Sequence, residues 1–326
     1  MGKIARSLSL AAALVVGLAV SIGSADAQNP AYPAKRIKLI IPYGPGGGTD
    51  AVAAVFSDKL GQKLGQPVVK ENHAGSNSVI GTALLANSPP DGYTLLVVTS
   101  AFANNPFLYA NLPYKTPESF APVSILTAYP FVLVVRSGLP FKNIKELIEY
   151  AKASPGKLTA GTSGRGAAAQ LALGLLNKSA GIRIREIPFK GIGESLNNVA
   201  GGFVDMMFSG YESALPFVDS KKIRFLGHTG REPLGKEQIP PIANDLPGFE
   251  YQNWQALIAP AGTPKAVTDK LNGALAEIFA EAAVKERLAS QNIIGIASTS
   301  AEAKDYFMKD IAANKAIIEA IGLKPE

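Results

Sequence analysis

Cysteine is missing from all 326 residues, and histidine occurs only twice, as His73 and His228. The first absence excludes disulfides, thiol nucleophiles and Cys-ligated zinc or iron–sulfur sites. The second leaves no His cluster for a metal centre, so neither a metal nor a cofactor is expected. Charge is sparse as well: 18% of residues are Asp, Glu, Lys or Arg, against 47% hydrophobic. That balance excludes disorder for the bulk of the chain and supplies enough apolar side chains for two domains. The net charge is +6, yet no run of Lys or Arg exceeds two, as in Lys35-Arg36 and Lys221-Lys222. We read this as a solvated basic surface, at most able to steer anions, and expect no nucleic-acid partner.

Long apolar runs are confined to the N-terminus. Lys3 and Arg6 precede an apolar stretch from Leu8 to Ile22, and Ala25-Asp26-Ala27 follows as a small-x-small cleavage pattern. Residues 1–27 therefore read as a signal peptide cut near Ala27/Gln28, so the mature protein is expected to be exported. The stretch is short for a membrane span, and later apolar runs such as Tyr129 to Val135 are shorter still.

Beyond the signal, short apolar runs alternate with Gly/Ser/Asn corners and helix-period segments. Ile37 to Pro42, Pro67 to Glu71 and Thr94 to Thr99 read as strands, with helices through Leu64 and from Ser78 to Asn87. The alternation predicts a parallel-type sheet covered by helices. A second set begins at the strand Tyr129 to Arg136. It continues through Leu158 to Thr162, Ile184 to Phe189, Val204 to Phe208 and Ile223 to Leu226. After Tyr251 to Ile258, Thr263 as N-cap and Pro264 at the first position open a long helix carrying Val267, Leu271, Leu275, Ile278 and Ala282. Thr299 and Glu302 form a capping box for a last helix. The economical arrangement returns these helices to the first unit. The fold class is thus α/β with two lobes: residues 28–129 plus 256–326, and an inserted lobe of 130–255. Crossovers near Tyr129 and Gln255 join them, and a cleft lies between.

Ligands in open α/β sheets bind at the carboxyl ends of strands, so the Gly corners draw attention. In Gly44-Pro45-Gly46-Gly47-Gly48-Thr49-Asp50 and Ser163-Gly164-Arg165-Gly166, backbone N–H groups beside a helix N-terminus suit an anion. The first is not a Walker A loop, because Thr49-Asp50 follows Gly48; it also misses the dinucleotide pattern, because Thr49 stands at its last glycine. One enzyme reading competes. Ser154-Pro155-Gly156-Lys157, Ser195-Leu196-Asn197 and His228-Thr229-Gly230 follow the order of the motifs of penicillin-recognising serine enzymes. Ser154 and Lys157 would then be nucleophile and base, but Pro155-Gly156 between them reads as a helix end.

Several short motifs occur together: Pro42-Tyr43-Gly44-Pro45-Gly46-Gly47-Gly48-Thr49-Asp50, Leu64-Gly65-Gln66-Pro67-Val68-Val69, Pro90-Asp91-Gly92-Tyr93-Thr94-Leu95, Phe120-Ala121-Pro122-Val123 and Ala259-Pro260-Ala261-Gly262-Thr263-Pro264. With these, the chain from residue 28 to 326 resembles the Bug extracytoplasmic solute receptors, the binding proteins of tripartite tricarboxylate transporters. The resemblance implies a two-lobed periplasmic binding fold of type II kind, closing on a small carboxylate and delivering it to a permease pair, without catalysis. The carboxylate is mono-, di- or tricarboxylic, aliphatic or aromatic, and a monomer is expected. A receptor that presents its ligand to a sensor kinase is a third reading.

Carried over, the first ligand loop is Tyr43 to Asp50, with Gly46, Gly47 and Thr49 as carboxylate contacts. The second comprises Thr162, Ser163, Gly166 and Ala167, with Gln170 in the following helix and Lys190 beyond. Phe189, Ala167, Gln170, His73 and Ser209 depart from the residues common in the family. Where Ser209 stands an Asp is frequent, and its loss removes a partner for a ligand ammonium, so a carboxylate without an amine is expected. Arg165 reads either as a partner for a second ligand carboxylate or as a solvated loop residue, and Lys190 either as a cleft cation or a surface charge. Asn104 suits a ligand hydrogen bond or the turn beside Pro106. Asp50 reads either as capping or neutralising its own helix start or as a ligand contact.

Overall fold

The apolar runs at Ile37–Ile41 (β1), Val68–Asn72 (β2) and Thr94–Thr99 (β3) pair in parallel, β2 and β3 flanking β1. The computed structural model describes residues 32–46, 48–164 and 166–325; the signal segment expected at 1–27 lies outside them. Helices α1 (Gly48–Leu64) and α2 (Val79–Ala86) connect the three strands. A short helix α3 (Ala101–Asn104) and a 3-10 turn (Asn105–Phe107) follow β3.

The next strand, β4 (Phe120–Pro130), begins nine residues before the Tyr129 start that the apolar run suggested. Pro122 hid its beginning. Only Phe131 separates β4 from β5 (Val132–Arg136), and there the chain passes from one sheet to another. The second sheet adds β6 (Thr159–Thr162), β7 (Arg185–Pro188), β8 (Met206–Ser209) and β9 (Ile223–His228) in the order β7-β6-β8-β5-β9. Its helices are α4 (Ile144–Ala153), α5 (Ala168–Ala180), α6 (Ile192–Ala200) and α7 (Tyr211–Asp219). Asn143 caps α4, its Oδ1 accepting from the Glu146 N–H at 2.8 Å. Helix α7 carries Pro216 inside it, which removes a backbone donor and masked the helix in the sequence.

The chain returns along β10 (Gln252–Pro260) to the first sheet, ordered β11-β4-β10-β3-β1-β2. It ends in α8 (Lys265–Ala280), α9 (Ala282–Ala289), the short β11 (Ile294–Gly295) and α10 (Ser300–Ala320). Both sheets are mixed rather than parallel: β10 runs antiparallel to β3 and β4, and β5 antiparallel to β8 and β9. In the first sheet the outgoing strand β4 and the returning strand β10 pair antiparallel to each other. Thr263 does not cap α8. Its hydroxyl donates to the Pro260 carbonyl at 2.8 Å, and the helix starts at Lys265. The helix ends before Ala282, which is exposed.

Period-two alternation packs the second sheet on both faces. Leu133, Val135, Met206 and Phe208 enter one core, while Val132, Val134 and Met207 enter the other. In the first sheet Ile40, Leu96, Val98 and Ile258 join Phe102, Phe307 and the fully buried Trp254. The Trp254 Nε1 donates to Asp310 at 2.9 Å, and burial pushes that carboxyl up to about 6. Helix α10 opens with the capping box: the Glu302 N–H donates to Thr299 Oγ1 at 3.2 Å, and the Thr299 N–H to Glu302 Oε2 at 2.9 Å. Its first half packs on the first sheet through Ala303 and Phe307, whereas Ile318 reaches the core of the second.

The two crossings are tied by Thr229. The Phe131 N–H donates to Thr229 Oγ1 at 2.9 Å, and the Thr229 N–H donates to the Phe131 carbonyl at 2.9 Å. The Thr229 hydroxyl donates to the Tyr251 carbonyl, whose own N–H returns a bond to the Thr229 carbonyl at 3.1 Å. One buried threonine thus holds the outgoing and returning chains side by side. No helix among the described residues is long and apolar enough to cross a membrane.

Candidate functional site

The loops after β3 and β6 meet between the sheets. Asn104 is wholly buried, and its Nδ2 donates to the Gly166 carbonyl at 3.1 Å, a bond from one lobe to the other. Gly166 has φ +72°, and a Cβ there would sit 2.3 Å from Leu108 Cδ1; only glycine allows so close an approach. The loop after β2 joins them. Asn77 Nδ2 donates to Asn105 Oδ1 at 3.1 Å, and Asn105 Nδ2 to the Asn77 carbonyl at 2.9 Å. In this loop Ser76, Asn77 and Ser78 hold φ of 46°, 47° and 75° in succession. Three left-handed non-glycine residues in a row are costly unless the surroundings enforce them, and such strain gathers where a site is shaped.

Hydroxyls and carboxamides face this junction. The Tyr43 hydroxyl bonds Thr99 Oγ1 at 2.9 Å. Ser100 Oγ donates to Asn253 Oδ1 at 2.7 Å, and Asn253 Nδ2 donates to the Tyr129 hydroxyl. Burial pushes the Tyr43, Tyr114 and Tyr251 phenols up, and Tyr129 up to about 12, so all four stay neutral at ordinary pH. Ser78 Oγ, Asn104 Oδ1, Tyr251 OH and Gln255 Oε1 are buried without a hydrogen-bond partner. Buried polar atoms are normally paired, and the three that are not phenols each lie beside one: Ser78 by Tyr43, Asn104 by Tyr251 and Gln255 by Tyr129.

The corner after β1 is exposed at Gly44, Pro45, Gly46 and Gly48, while Thr49 is buried. Asp50 holds it: Oδ2 accepts from the Gly46 N–H at 3.1 Å and Oδ1 from Lys70 Nζ at 3.1 Å. The Gly46 amide and then the Lys70 ammonium keep the Asp50 carboxyl below the usual carboxylate range. Asp50 therefore ties back to its preceding loop, and the Gly46 N–H, expected on the ligand, is turned to that carboxylate. Gly47 lies outside the described residues, as does Arg165.

At the corner after β6, Thr162 Oγ1 donates to Glu186 Oε1 at 2.6 Å, and Gln170 Nε2 to Glu186 Oε2 at 2.8 Å. Gln170 Oε1 accepts from the Gly166 N–H at 2.7 Å. The side chains of Thr162 and Gln170, both expected at the ligand, thus shape the corner from behind. Ser163 and Ala167 are half-buried at its rim. Lys190 is exposed, its backbone N–H donating to Glu194 at 2.9 Å. Ser209 is buried with its hydroxyl on the Gly210 carbonyl at 3.1 Å.

Ser78, Tyr129, Tyr251, Asn253 and Gln255 were not foreseen at the site. A signal existed for two of them, since Asn253 and Gln255 are carboxamides in an otherwise apolar, buried strand, where polar groups need partners. The Ser154–Lys157 pair does not form a helical turn. Ser154 ends α4, Gly156 has φ +74°, and the Lys157 ammonium lies 5.7 Å over the Tyr150 ring. The turn sits before β6, at the opposite end of that strand from Thr162. His228 is buried, and burial lowers its pKa to about 4, so it is a neutral structural residue.

Comparison with known proteins agrees with this architecture. Protein BugT of Bordetella pertussis is 31% identical over 316 residues, covering 95% of this chain and 97% of that protein. The structure of R. palustris Rpa4515 with adipate superposes with a TM-score of 0.82 at 26% identity, covering 90% of this chain and all of that one. The periplasmic binding protein BugD gives a TM-score of 0.79 at 29% identity, with coverage of 90% and 100%. Residues 52–323 match the family described as tripartite tricarboxylate transporter family receptor. With nearly its whole length matched in sequence and in fold, this chain belongs to the tripartite tricarboxylate transporter receptor family.

Proposed function

We propose that this chain is exported to the periplasm, captures a small organic carboxylate between its two lobes, and hands it unchanged to a membrane permease. The observation that carries the reading is the meeting of Asn104 and Gly166 at the strand ends, beside the buried Ser78 and Tyr251 hydroxyls, which lack a close partner and can donate. Such a surface can replace the hydration of a carboxylate with fixed donors. The adipate held by a structural relative supports the ligand class, and the signal-like N-terminus supports export. Ligand contacts at the rim of both corners are assigned to Tyr43, Thr49 and Asn104 from the first lobe, with Ser163, Gly166, Ala167 and Lys190 from the second; Gly47 and Arg165 are kept on the resemblance alone, and Gly46 acts through its bond to Asp50. Thr162, Gln170 and Ser209 act by shaping that rim. The two lobes, 28–129 plus 256–326 and 130–255, close by bending at the Thr229 tie.

A thermal-shift panel of mono-, di- and tricarboxylates tests the function. Stabilisation by at least one acid is expected, because a ligand bound only by the folded state raises its stability by mass action. X-ray scattering with and without that acid tests closure; unchanged dimensions would count against bending.

A further inference from the structure

Cations gather along one end of the second sheet. Arg136 closes β5, Lys157 precedes β6, Arg183 and Arg185 lead into β7, and Lys221 and Lys222 precede β9. This end lies away from the junction, since β6 begins here at Thr159 and reaches the junction only at Thr162. Backbone bonds knit the segments together. The Gly156 N–H donates to the Arg183 carbonyl at 2.8 Å, and the Asp205 N–H to the Thr159 carbonyl at 3.1 Å. The Arg136 N–H donates to the Asp205 carbonyl at 3.0 Å, and the Ser137 N–H to the Lys222 carbonyl at 3.1 Å. Five of the six cations are exposed and Arg136 is half-buried. The carboxylates beside them are Asp219 and Asp205, the latter already held by Arg136 at 2.8 Å.

Neither general basicity nor helix ends account for this row. The outer strand ends of the first lobe carry Lys35, Arg36 and Lys115 together with Asp91 and Glu118, and Lys35 pairs with Asp91 at 3.6 Å. Most of the net charge of +6 therefore stands at one pole of the molecule. Helix dipoles act within the last turn. There α4 and α5 have their own Lys152 and Lys178, and α6 and α7 have no cation. The six lie beyond those turns.

Phe203 stands in the middle of the row, just before β8, which lies between β6 and β5. It follows Gly201-Gly202 and is 80% exposed, against 56% for Ile294, the next most exposed large apolar side chain described. An acidic peptide would answer the charges but leave this ring in water. An anionic lipid interface answers both, drawing cations to its headgroups and taking an aromatic ring into the boundary beneath them.

We propose that this pole of the second lobe docks on an anionic lipid surface, Phe203 entering the headgroup layer and the six cations facing the phosphates. Docking would keep the receptor beside a membrane between rounds of capture. It uses the end of the sheet remote from the carboxylate junction and does not depend on that reading.

The full chain is expressed, and its exported form is sedimented with vesicles of phosphatidylcholine alone or with about one third phosphatidylglycerol, at low and high salt. Binding is expected only to the anionic vesicles and should weaken with salt. Each cation near such a surface contributes roughly a factor of five, so Lys221→Gln/Lys222→Gln should lose about tenfold or more. Phe203→Ser should lose about fivefold and keep the salt dependence, which separates ring insertion from charge. Arg36→Gln/Lys115→Gln removes the same charge from the first lobe's pole and should lose about twofold at most. No preference for anionic vesicles would overturn the inference, as would equal losses in the two double variants or wild-type binding by Phe203→Ser. Binding to polyglutamate but not to vesicles would also overturn it, assigning the row to an acidic protein partner. Each of these failures leaves the carboxylate reading intact.

Discussion

At the corner after β1 four residues lie in solvent, and Asp50, from within the helix that follows, holds the Gly46 N–H with Lys70 as its counter-ion. At the corner after β6 Thr162 and Gly166 are buried, and Glu186 of the neighbouring strand holds the loop through Thr162 and Gln170. Each lobe therefore uses one carboxylate to turn a glycine N–H back onto its own scaffold, directly in the first and through Gln170 in the second. The difference lies in what surrounds them. The second corner also carries the contact with the opposite lobe, so its shape bears on apposition, whereas the first lies in solvent. Glycine-rich composition alone predicted two equivalent amide cradles; burial distinguishes an enclosed corner from a solvent-exposed one.

The sharpest way to break this comparison is at the two carboxylates. Glu186→Leu removes the acceptor of two charge-assisted hydrogen bonds in a part-buried setting and should cost on the order of 2–4 kcal/mol in urea unfolding. Glu186→Gln should recover much of that. If Glu186→Leu costs no more than Asp50→Ala, the two corners are not held differently.

The glycines give the next effect. Gly166→Ala adds a methyl that would lie 2.3 Å from Leu108 Cδ1, at a φ of +72°. It should cost about 2 kcal/mol or more and enlarge the particle in scattering. Gly46→Ala has a similar φ of +77° but nothing within 4 Å, so about 1 kcal/mol of backbone cost is expected, with dimensions unchanged.

The smallest effect is a pH dependence at the first corner. The folded pKa of Asp50 is depressed, so its stabilisation is fully present above the unfolded carboxylate value of about 4 and is lost as pH falls through the lower folded value. Acid titration of stability should show a shallower loss in Asp50→Asn than in the wild type. The difference should be below about 1 kcal/mol, because the Asp50–Lys70 pair is partly solvated.

Strand positions were readable because buried runs such as Val132–Arg136 are apolar on both faces, and the capped start of α10 because Thr299 carries the capping chemistry in its own side chain. Helix α7 was not, because Pro216 contradicts a helix locally and only packing against the second sheet overrides it. The β4 start was missed for a similar reason, Pro122 lying in a strand whose partner β10 is more than a hundred residues away. Of the residues that meet at the junction, Asn104 and the Gly166 corner had drawn attention from their places after strands. The roles of Thr162 and Gln170 were not, since Glu186 belongs to another strand and nothing local couples them.

Composition, the short-range alternation of strands with helices, and the glycine corners were determined by the chain itself, because they depend on neighbours within a few residues. Which hydroxyls and carboxamides converge, and which of them remain unpaired, was decided only when β10 returned between β3 and β4. That return brings Asn253 and Gln255 beside Tyr129 and Thr99. Pairing across such distances is set by the folding of the whole sheet, and hydrogen bonds there depend on tenths of an ångström that no linear pattern encodes.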